Sequence, residues 1–295
     1  MADRVACVVV TYDALPWLER CLASVAGVPT VVVDNGSSDG TVAFTRERFP
    51  EVTLVESANL GLAAGWNRGL REVDAEHVLV LNADAWLEDG ALDGLVGALE
   101  RHPRAALAAP RLLNPDGTLQ RSVRGFPTPW RLATEYLYLR KLGPRTRLFN
   151  AFYGAGFDHA SEREVEWAMG ACLLLRRAAL DDVGPFDERF FLFSEEVDWC
   201  RRAADRGWSV VFTPGARCTH VGGAAHGGRL FRENVRGHLL YLQLHGAPGD
   251  AERARRLMRA ALVLRGRAYR GERGALYREA AAWLASGDVA ALVAR

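Results

Sequence analysis

The chain has 295 residues, 49% of them hydrophobic and 25% charged, and a net charge of +1. That balance excludes the broad basic field of a nucleic-acid binder. The longest apolar runs, such as Val78-Leu79-Val80-Leu81, fall far short of the ~20 residues that span a bilayer.

The first 110 residues alternate strand-like and helix-like segments. Residues 5–10 read as a buried strand, and 15–25 as a helix with Leu18, Leu22 and Val25 on one face. A second strand, 30–33, runs into the turn-rich stretch Asp34-Asn35-Gly36-Ser37-Ser38-Asp39-Gly40. A short helix (41–49), a third strand (52–56), a helix (62–73) and a fourth strand (78–81) follow. Asp89 is placed to cap a further helix carrying Leu92, Leu95, Val96 and Leu99 on one face. Residues 111–165 hold Pro115, Pro127, Pro129 and Pro144 and read as loops around one helix near 130–142. Regularity returns with a strand at 172–176 and a helix at 195–205, capped by Ser194 and stopped by Gly207. A strand at 208–213 and a Gly-rich stretch at 222–228 come next. The final segment, 250–295, reads as helical and arginine-rich.

This order predicts an α/β fold with a mostly parallel central sheet flanked by helices, plus a C-terminal helical extension. The expected division is residues 1–245 as the main domain, with halves at about 1–110 and 111–245, and 246–295 as a basic extension. In such sheets ligands bind beyond the carboxyl ends of the strands. Polar residues collect there: Thr11-Tyr12-Asp13, the Asp34–Thr41 stretch, Asn59-Leu60-Gly61 with Asn67, and Asn82-Ala83-Asp84. Each alone reads as a turn; together they mark one rim. No Gly-x-Gly-x-x-Gly follows the first strand and no Gly-x-x-x-x-Gly-Lys motif occurs, which disfavours a dinucleotide dehydrogenase and a P-loop ATPase.

The ordered set of motifs resembles a family 2 glycosyltransferase with the GT-A fold. It comprises Val9-Val10-Thr11-Tyr12, Val33-Asp34-Asn35-Gly36-Ser37-Ser38-Asp39-Gly40-Thr41, Gly65-Trp66-Asn67-Arg68-Gly69 and Leu81-Asn82-Ala83-Asp84. It continues with Gly170-Ala171-Cys172, Gly184-Pro185-Phe186-Asp187-Glu188, Ser194-Glu195-Glu196-Val197-Asp198-Trp199 and Thr219-His220-Val221-Gly222. The flavour is that of the rhamnosyltransferase-like branch, whose members build bacterial cell-surface polysaccharides.

The resemblance implies a nucleoside diphosphate sugar donor, contacted by Thr11, Tyr12, Asp34, Asn35, Asn59, Asn67 and the Asn82-Ala83-Asp84 turn. It implies a divalent metal, Mg²⁺ or Mn²⁺, on Asp84, with His220 completing the shell and His226 a weaker candidate. Asn82 stands where the family more often has the first Asp of Asp-x-Asp, so one carboxylate carries the site. Inversion needs a general base for the acceptor hydroxyl. Glu196 holds the family's base position and Glu195 is the runner-up, while Asp198 is available to pair with an arginine. Trp167 and Gly170 would floor the site of a glycan or lipid-linked glycan acceptor.

The expected reaction is rhamnosyl transfer from dTDP-rhamnose, with UDP- or GDP-hexose donors as alternatives. A sugar-phosphate nucleotidyltransferase would need a basic Gly-rich loop and a catalytic lysine, but Lys141 is the single lysine. A non-catalytic glycan binder would not need Asp84 and Glu196. Five scattered cysteines without a Cys-x-x-Cys spacing, and an N-terminus leading straight into a strand, point to a reducing cytoplasmic setting. The arginine-rich C-terminal helices offer a peripheral contact with the inner membrane face.

Overall fold

The computed structural model describes residues 4–222 and 228–294. In chain order come β1 (Val5–Thr11), α1 (Leu15–Ala23), β2 (Thr30–Asp34), α2 (Thr41–Arg48), β3 (Thr53–Glu56), α3 (Leu62–Arg71) and β4 (His77–Asn82). β5 (Ala85–Leu87), α4 (Ala91–Arg101), β6 (Ala105–Leu113), β7 (Val123–Arg124), α5 (Pro129–Tyr136) and α6 (Arg147–Asn150) continue the series. Then follow β8 (Arg163–Val165), β9 (Trp167–Ala168), β10 (Cys172–Arg176), α7 (Arg177–Val183), α8 (Glu195–Asp205) and β11 (Ser209–His220). The chain closes with α9 (Gly228–His245), α10 (Asp250–Ala268), α11 (Gly271–Ala285) and α12 (Val289–Val293).

These elements form two compact units. The first holds Met1–Val123, Asp158–Phe191 and Glu195–Gly222; the second holds Arg124–Phe157, Leu192–Ser194 and Gly223–Arg295.

The first unit is built on a sheet of order β3-β2-β1-β4-β10-β6-β11-β5, with β8 beside β11. β3, β2, β1 and β4 are parallel, as the alternating pattern predicts. Beyond β4 the sheet is mixed: β10 runs antiparallel to β4 and β6, while β11 is parallel to β6. Every residue of β1 is buried, the signature of a central strand covered on both faces. Helix α3 lies close on it because Gly65 and Gly69 present no side chain there. A Cβ on Gly65 would stand 2.7 Å from Val10 Cγ1, and one on Gly69 would strike Val8. All five cysteines are buried and free, and burial pushes the Cys7 thiol up to about 12.

Four local expectations are revised. The cap of α4 is Gly90 in the left-handed region at φ 72°, not Asp89. β6 appears where the Ala-rich run gave no strand signal, paired along β11. The helix near 130–142 ends at Tyr136, and Tyr138 at φ 57° breaks it before a single 3₁₀ turn at Leu139–Lys141. β11 continues past Thr213 to His220, absorbing Pro214-Gly215 in a register shift between Thr213 and Arg217. That continuation carries His220 to the sheet rim beside β5, where it is the register partner of Ala85.

In the second unit, α10 packs on α5 and α11. Arg265 stacks 3.8 Å over the Tyr138 ring and donates to the Glu135 carbonyl at 2.8 Å. Gly266 leaves room for Arg278, which donates back to the Gly266 carbonyl at 2.7 Å. Among the described residues no helix is long and apolar enough to cross a membrane.

Candidate active site

The parallel half of the sheet ends its strands at one rim. Thr11 and Asp34 are register partners there, at the ends of β1 and β2. Asp34 Oδ2 accepts from the Gly36 and Ser37 amides, both at 2.9 Å, which curls the following loop. Its other oxygen, Oδ1, and Thr11 Oγ1 are buried without a hydrogen-bond partner. Buried polar atoms are normally satisfied, so these two neighbouring exceptions at a strand-end rim are free to accept from a hydroxyl or N–H group. Tyr12, next in the chain, is 55% exposed and offers its ring to solvent.

The loops after β1 and β2 are tied together. Asp13, at φ 48°, accepts from the Ser38 amide at 2.7 Å, and its own amide donates to Ser37 Oγ at 2.9 Å. Asp39 Oδ2 accepts from the Leu15 amide at 3.0 Å, and Oδ1 from the Thr41 hydroxyl at 2.6 Å. Asn35 is buried and donates to the Gly61 carbonyl at 3.1 Å; the Asn59 side chain accepts from the Gly61 amide at 3.2 Å. Asn67 is committed elsewhere: its amide donates to the Phe186 carbonyl at 2.8 Å and to Glu188 at 2.9 Å, and accepts from the Phe186 amide at 2.9 Å. It pins the Phe186 segment to α3, a structural use that its motif does not announce.

β4 ends in the Asn82-Ala83-Asp84 turn. Asp84 Oδ1 lies 3.4 Å from His220 Nε2, and Oδ2 accepts from the Gly222 amide at 3.1 Å. Burial works to raise the Asp84 carboxyl, but the hydrogen bond and charge of His220 and the Gly222 amide outweigh it and hold it below the ordinary aspartate value. His220 Nδ1 sits 2.7 Å from Gln120 Oε1. An amide oxygen only accepts, so the ring donates from Nδ1 to Gln120, and Nε2 is the nitrogen that faces Asp84. Gln120 is itself held, donating to Asn114 Oδ1 at 3.0 Å and to the His220 carbonyl at 3.1 Å. A carboxylate and an imidazole nitrogen with a fixed tautomer match the donor set of a divalent cation whose shell is completed by phosphates. Among the described residues no group of three or more His, Cys, Asp or Glu gathers for a metal. Sequence reasoning missed Gln120, which lies in an irregular loop with no motif around it. His226 and most of the Gly-rich stretch fall outside the described residues.

The first turn of α8 carries Glu195, Glu196 and Asp198, all buried. Asp198 pairs with Arg202 at 2.9 Å, as its spacing allows. Glu196 Oε1 accepts from the Gly170 amide at 3.4 Å. Burial first, then the neighbouring Glu196 carboxylate, pushes Glu195 well above the ordinary glutamate value. Gly170 is required by its neighbours: a Cβ there would stand 2.7 Å from Trp66 Cη2 and 3.7 Å from Glu196 Cβ. Trp66 is fully buried and its ring lies 4.9 Å from that of Phe186. Trp167, at 5% exposure in β9, is a buried residue beside this floor in sequence.

The model of the family described as glycosyl transferase family 2 matches residues 6–184. The N-acetylglucosaminyl-diphospho-decaprenol L-rhamnosyltransferase of Mycobacterium tuberculosis is 36% identical over 237 residues, 75% of this chain and 76% of that protein. The low-salt glycan biosynthesis hexosyltransferase Agl10 of Haloferax volcanii is 27% identical over 209 residues, 69% of this chain and 62% of that protein. Among solved structures, GalNAc-T7 with UDP, GalNAc and Mn²⁺ superposes with a TM-score of 0.56 at 13% identity, over 79% of this chain and 47% of that one. S. aureus TarS superposes with a TM-score of 0.52 at 14% identity, over 88% of this chain and 43% of that one. Both likenesses are of fold, the GT-A arrangement, and this chain spans less than half of either protein's length. The chain is a glycosyltransferase and belongs to glycosyltransferase family 2.

Proposed function

We propose that the protein transfers L-rhamnose from dTDP-rhamnose to the sugar of a lipid-diphosphate-linked N-acetylglucosamine, with inversion and with a divalent cation. The observation that carries the acceptor and sugar is the 36% identity to the mycobacterial rhamnosyltransferase across three quarters of both chains. The chemistry is supported by the Asp84–His220 pair and by the two acids opening α8.

In this reading Asp84 and His220 hold Mg²⁺ or Mn²⁺, which when bound offsets the charge that grows on the diphosphate as the glycosidic bond breaks. Thr11 Oγ1 and Asp34 Oδ1 take the donor's base and ribose. Tyr12 lies along the nucleotide, and the Asn35–Gly61–Asn59 hydrogen bonds shape the pocket wall. The Asn82-Ala83 turn presents Asp84, and Asn67 acts by holding the Phe186 segment.

Glu196 is the general base. Burial and the neighbouring Glu196 carboxylate push Glu195 well above the ordinary glutamate value, and the Gly170 amide donates to Glu196 Oε1. Glu196 takes the proton from the acceptor hydroxyl as that oxygen attacks the anomeric carbon and the nucleoside diphosphate departs from the opposite face. The hydroxyl proton ends on Glu196 and the bonding electrons on the diphosphate. Trp167 and Gly170 floor the acceptor side.

The test is a donor panel with a short-chain polyprenyl-diphosphate N-acetylglucosamine. Rhamnosyl product from dTDP-rhamnose, with none from UDP- or GDP-hexoses, is the expected outcome. Turnover of a UDP-hexose alone would replace the donor assignment, and retained anomeric configuration would remove the single-displacement mechanism.

A further inference from the structure

We propose that a surface of the second unit, made by Trp130, Leu142 and Leu148 with Lys141, Arg145 and Arg147, docks on an anionic lipid membrane. Leu142 is 74% exposed, Leu148 60% and Trp130 46%, among the most exposed large hydrophobic side chains of the chain. They form one patch. Trp130 Nε1 donates to the Leu148 carbonyl at 2.7 Å, and its ring lies 6.5 Å from that of Phe149. Gly143, next to Leu142, sits against Phe149: a Cβ there would be 2.8 Å from Phe149 Cδ2.

The charge around these side chains has one sign. No acidic residue occurs between Glu135 and Asp158. Arg140 is taken by Glu135 at 3.0 Å. Lys141, Arg145 and Arg147 make no ion pair with any carboxylate among the described residues, and all three are exposed. Exposed leucines and a tryptophan with its indole N–H at the rim suit the depth where acyl chains meet headgroups. Unneutralised basic side chains beside them suit anionic headgroups. The charge complementarity is with an acidic lipid surface.

The arginine-rich C-terminal helices, the sequence's own candidate for membrane contact, are the competing surface. Arg253 pairs with Asp250, Arg255 and Arg256 with Glu252, and Arg265 and Arg278 donate to backbone carbonyls. Three of the ten arginines between 250 and 295 are thus ion-paired, and the segment stays basic. The docking surface goes beyond the proposed reaction and holds whichever sugar is transferred.

The experiment is co-sedimentation of the full chain with phosphatidylcholine vesicles, with and without phosphatidylglycerol, at low and high salt. Wild type should bind only the phosphatidylglycerol vesicles, and high salt should release it. Leu142→Ser with Leu148→Ser should weaken binding about 10-fold or more. Arg145→Glu with Arg147→Glu should do the same. Both double variants should keep the wild-type melting temperature, since all four side chains are exposed. The proposal is overturned if wild type ignores anionic vesicles at low salt, or if either double variant binds as wild type does. It is equally overturned if Arg259→Glu with Arg267→Glu on α10 abolishes binding while the leucine variants retain it. A patch variant that converts a dimer to a monomer in light scattering, with vesicle binding intact, would reassign the patch to a second copy of the chain.

Discussion

Thr11 and Asp34 are partners in the parallel register of β1 and β2, and each ends in a buried oxygen that no protein group satisfies. Leaving a buried hydroxyl unpaired costs about 1–3 kcal/mol, whereas a made hydrogen bond returns about 0.5–1.5 kcal/mol net. In the proposed reading, a bound donor nucleotide would satisfy both oxygens.

Thr11→Val removes the unpaired hydroxyl and keeps the shape. The melting temperature should hold or rise, while affinity for the donor nucleotide should fall about 3- to 10-fold. Calorimetric titration beside thermal unfolding separates the two. Unchanged nucleotide affinity would show that Thr11 Oγ1 does not meet the donor.

Gln120 fixes the His220 tautomer, so its loss should be felt by a cation. Gln120→Met should weaken Mn²⁺ binding in the presence of a nucleoside diphosphate by about 10- to 100-fold. Gln120→Glu restores an acceptor opposite Nδ1 and should recover most of the loss. Mn²⁺ electron paramagnetic resonance reads the affinity directly, without turnover. Asp84→Ala should abolish the Mn²⁺ signal change, and excess chelator should silence transfer.

The two glutamates of α8 should separate by function. Glu196→Gln should lower kcat by about 10²- to 10⁴-fold and leave nucleotide affinity near wild type. Crippled Glu195→Gln with active Glu196→Gln would exchange their roles.

Stability against pH offers an independent view of Glu195. Its folded pKa is raised, so the folded state holds a proton that the unfolded chain releases above the ordinary value of 4.5. Stability is then lost as pH rises from there through the raised value. Glu195→Gln carries no such loss. Its melting temperature should exceed that of wild type by a margin that widens as pH rises above the ordinary glutamate value. A margin that narrows over that range would mean Glu195 titrates normally.

Gly61 has φ 101°, and a Cβ there would collide with the Phe191 backbone, standing 2.8 Å from Phe191 Cα. Gly61→Ala should destabilise by about 1–3 kcal/mol, read by denaturant unfolding. Wild-type stability would mean that the Asn59–Leu62 turn relaxes freely.

Much of this architecture is written in local sequence. β1, β2, β4 and β10 are runs of branched apolar residues, buried on both faces, and such runs announce themselves. β6 does not: Ala105-Ala106-Leu107-Ala108-Ala109-Pro110 has helical propensity, and only pairing with β11 and β10 makes it a strand. The rim acids stand out because strand ends concentrate polar residues. Gln120 and the hydrogen bonds of Asn67 to Phe186 do not stand out. Each acts through a partner a hundred or more residues away, His220 and Phe186, and no spacing rule reaches that far. Asp89 lost the α4 cap to Gly90 because a left-handed backbone, not a side-chain oxygen, makes that turn.

The crossed hydrogen bonds of Asp13 and Asp39 have a kinetic consequence. Asp13 reaches the second loop at Ser38, and Asp39 reaches back to the amide of Leu15 at the start of α1. The two loops that border Thr11 and Asp34 are thus one piece, ordered when the chain folds. In the proposed reading, an arriving donor would meet two loops already tied to each other on this side. Discrimination between nucleotides would then be expected mainly in how fast they leave.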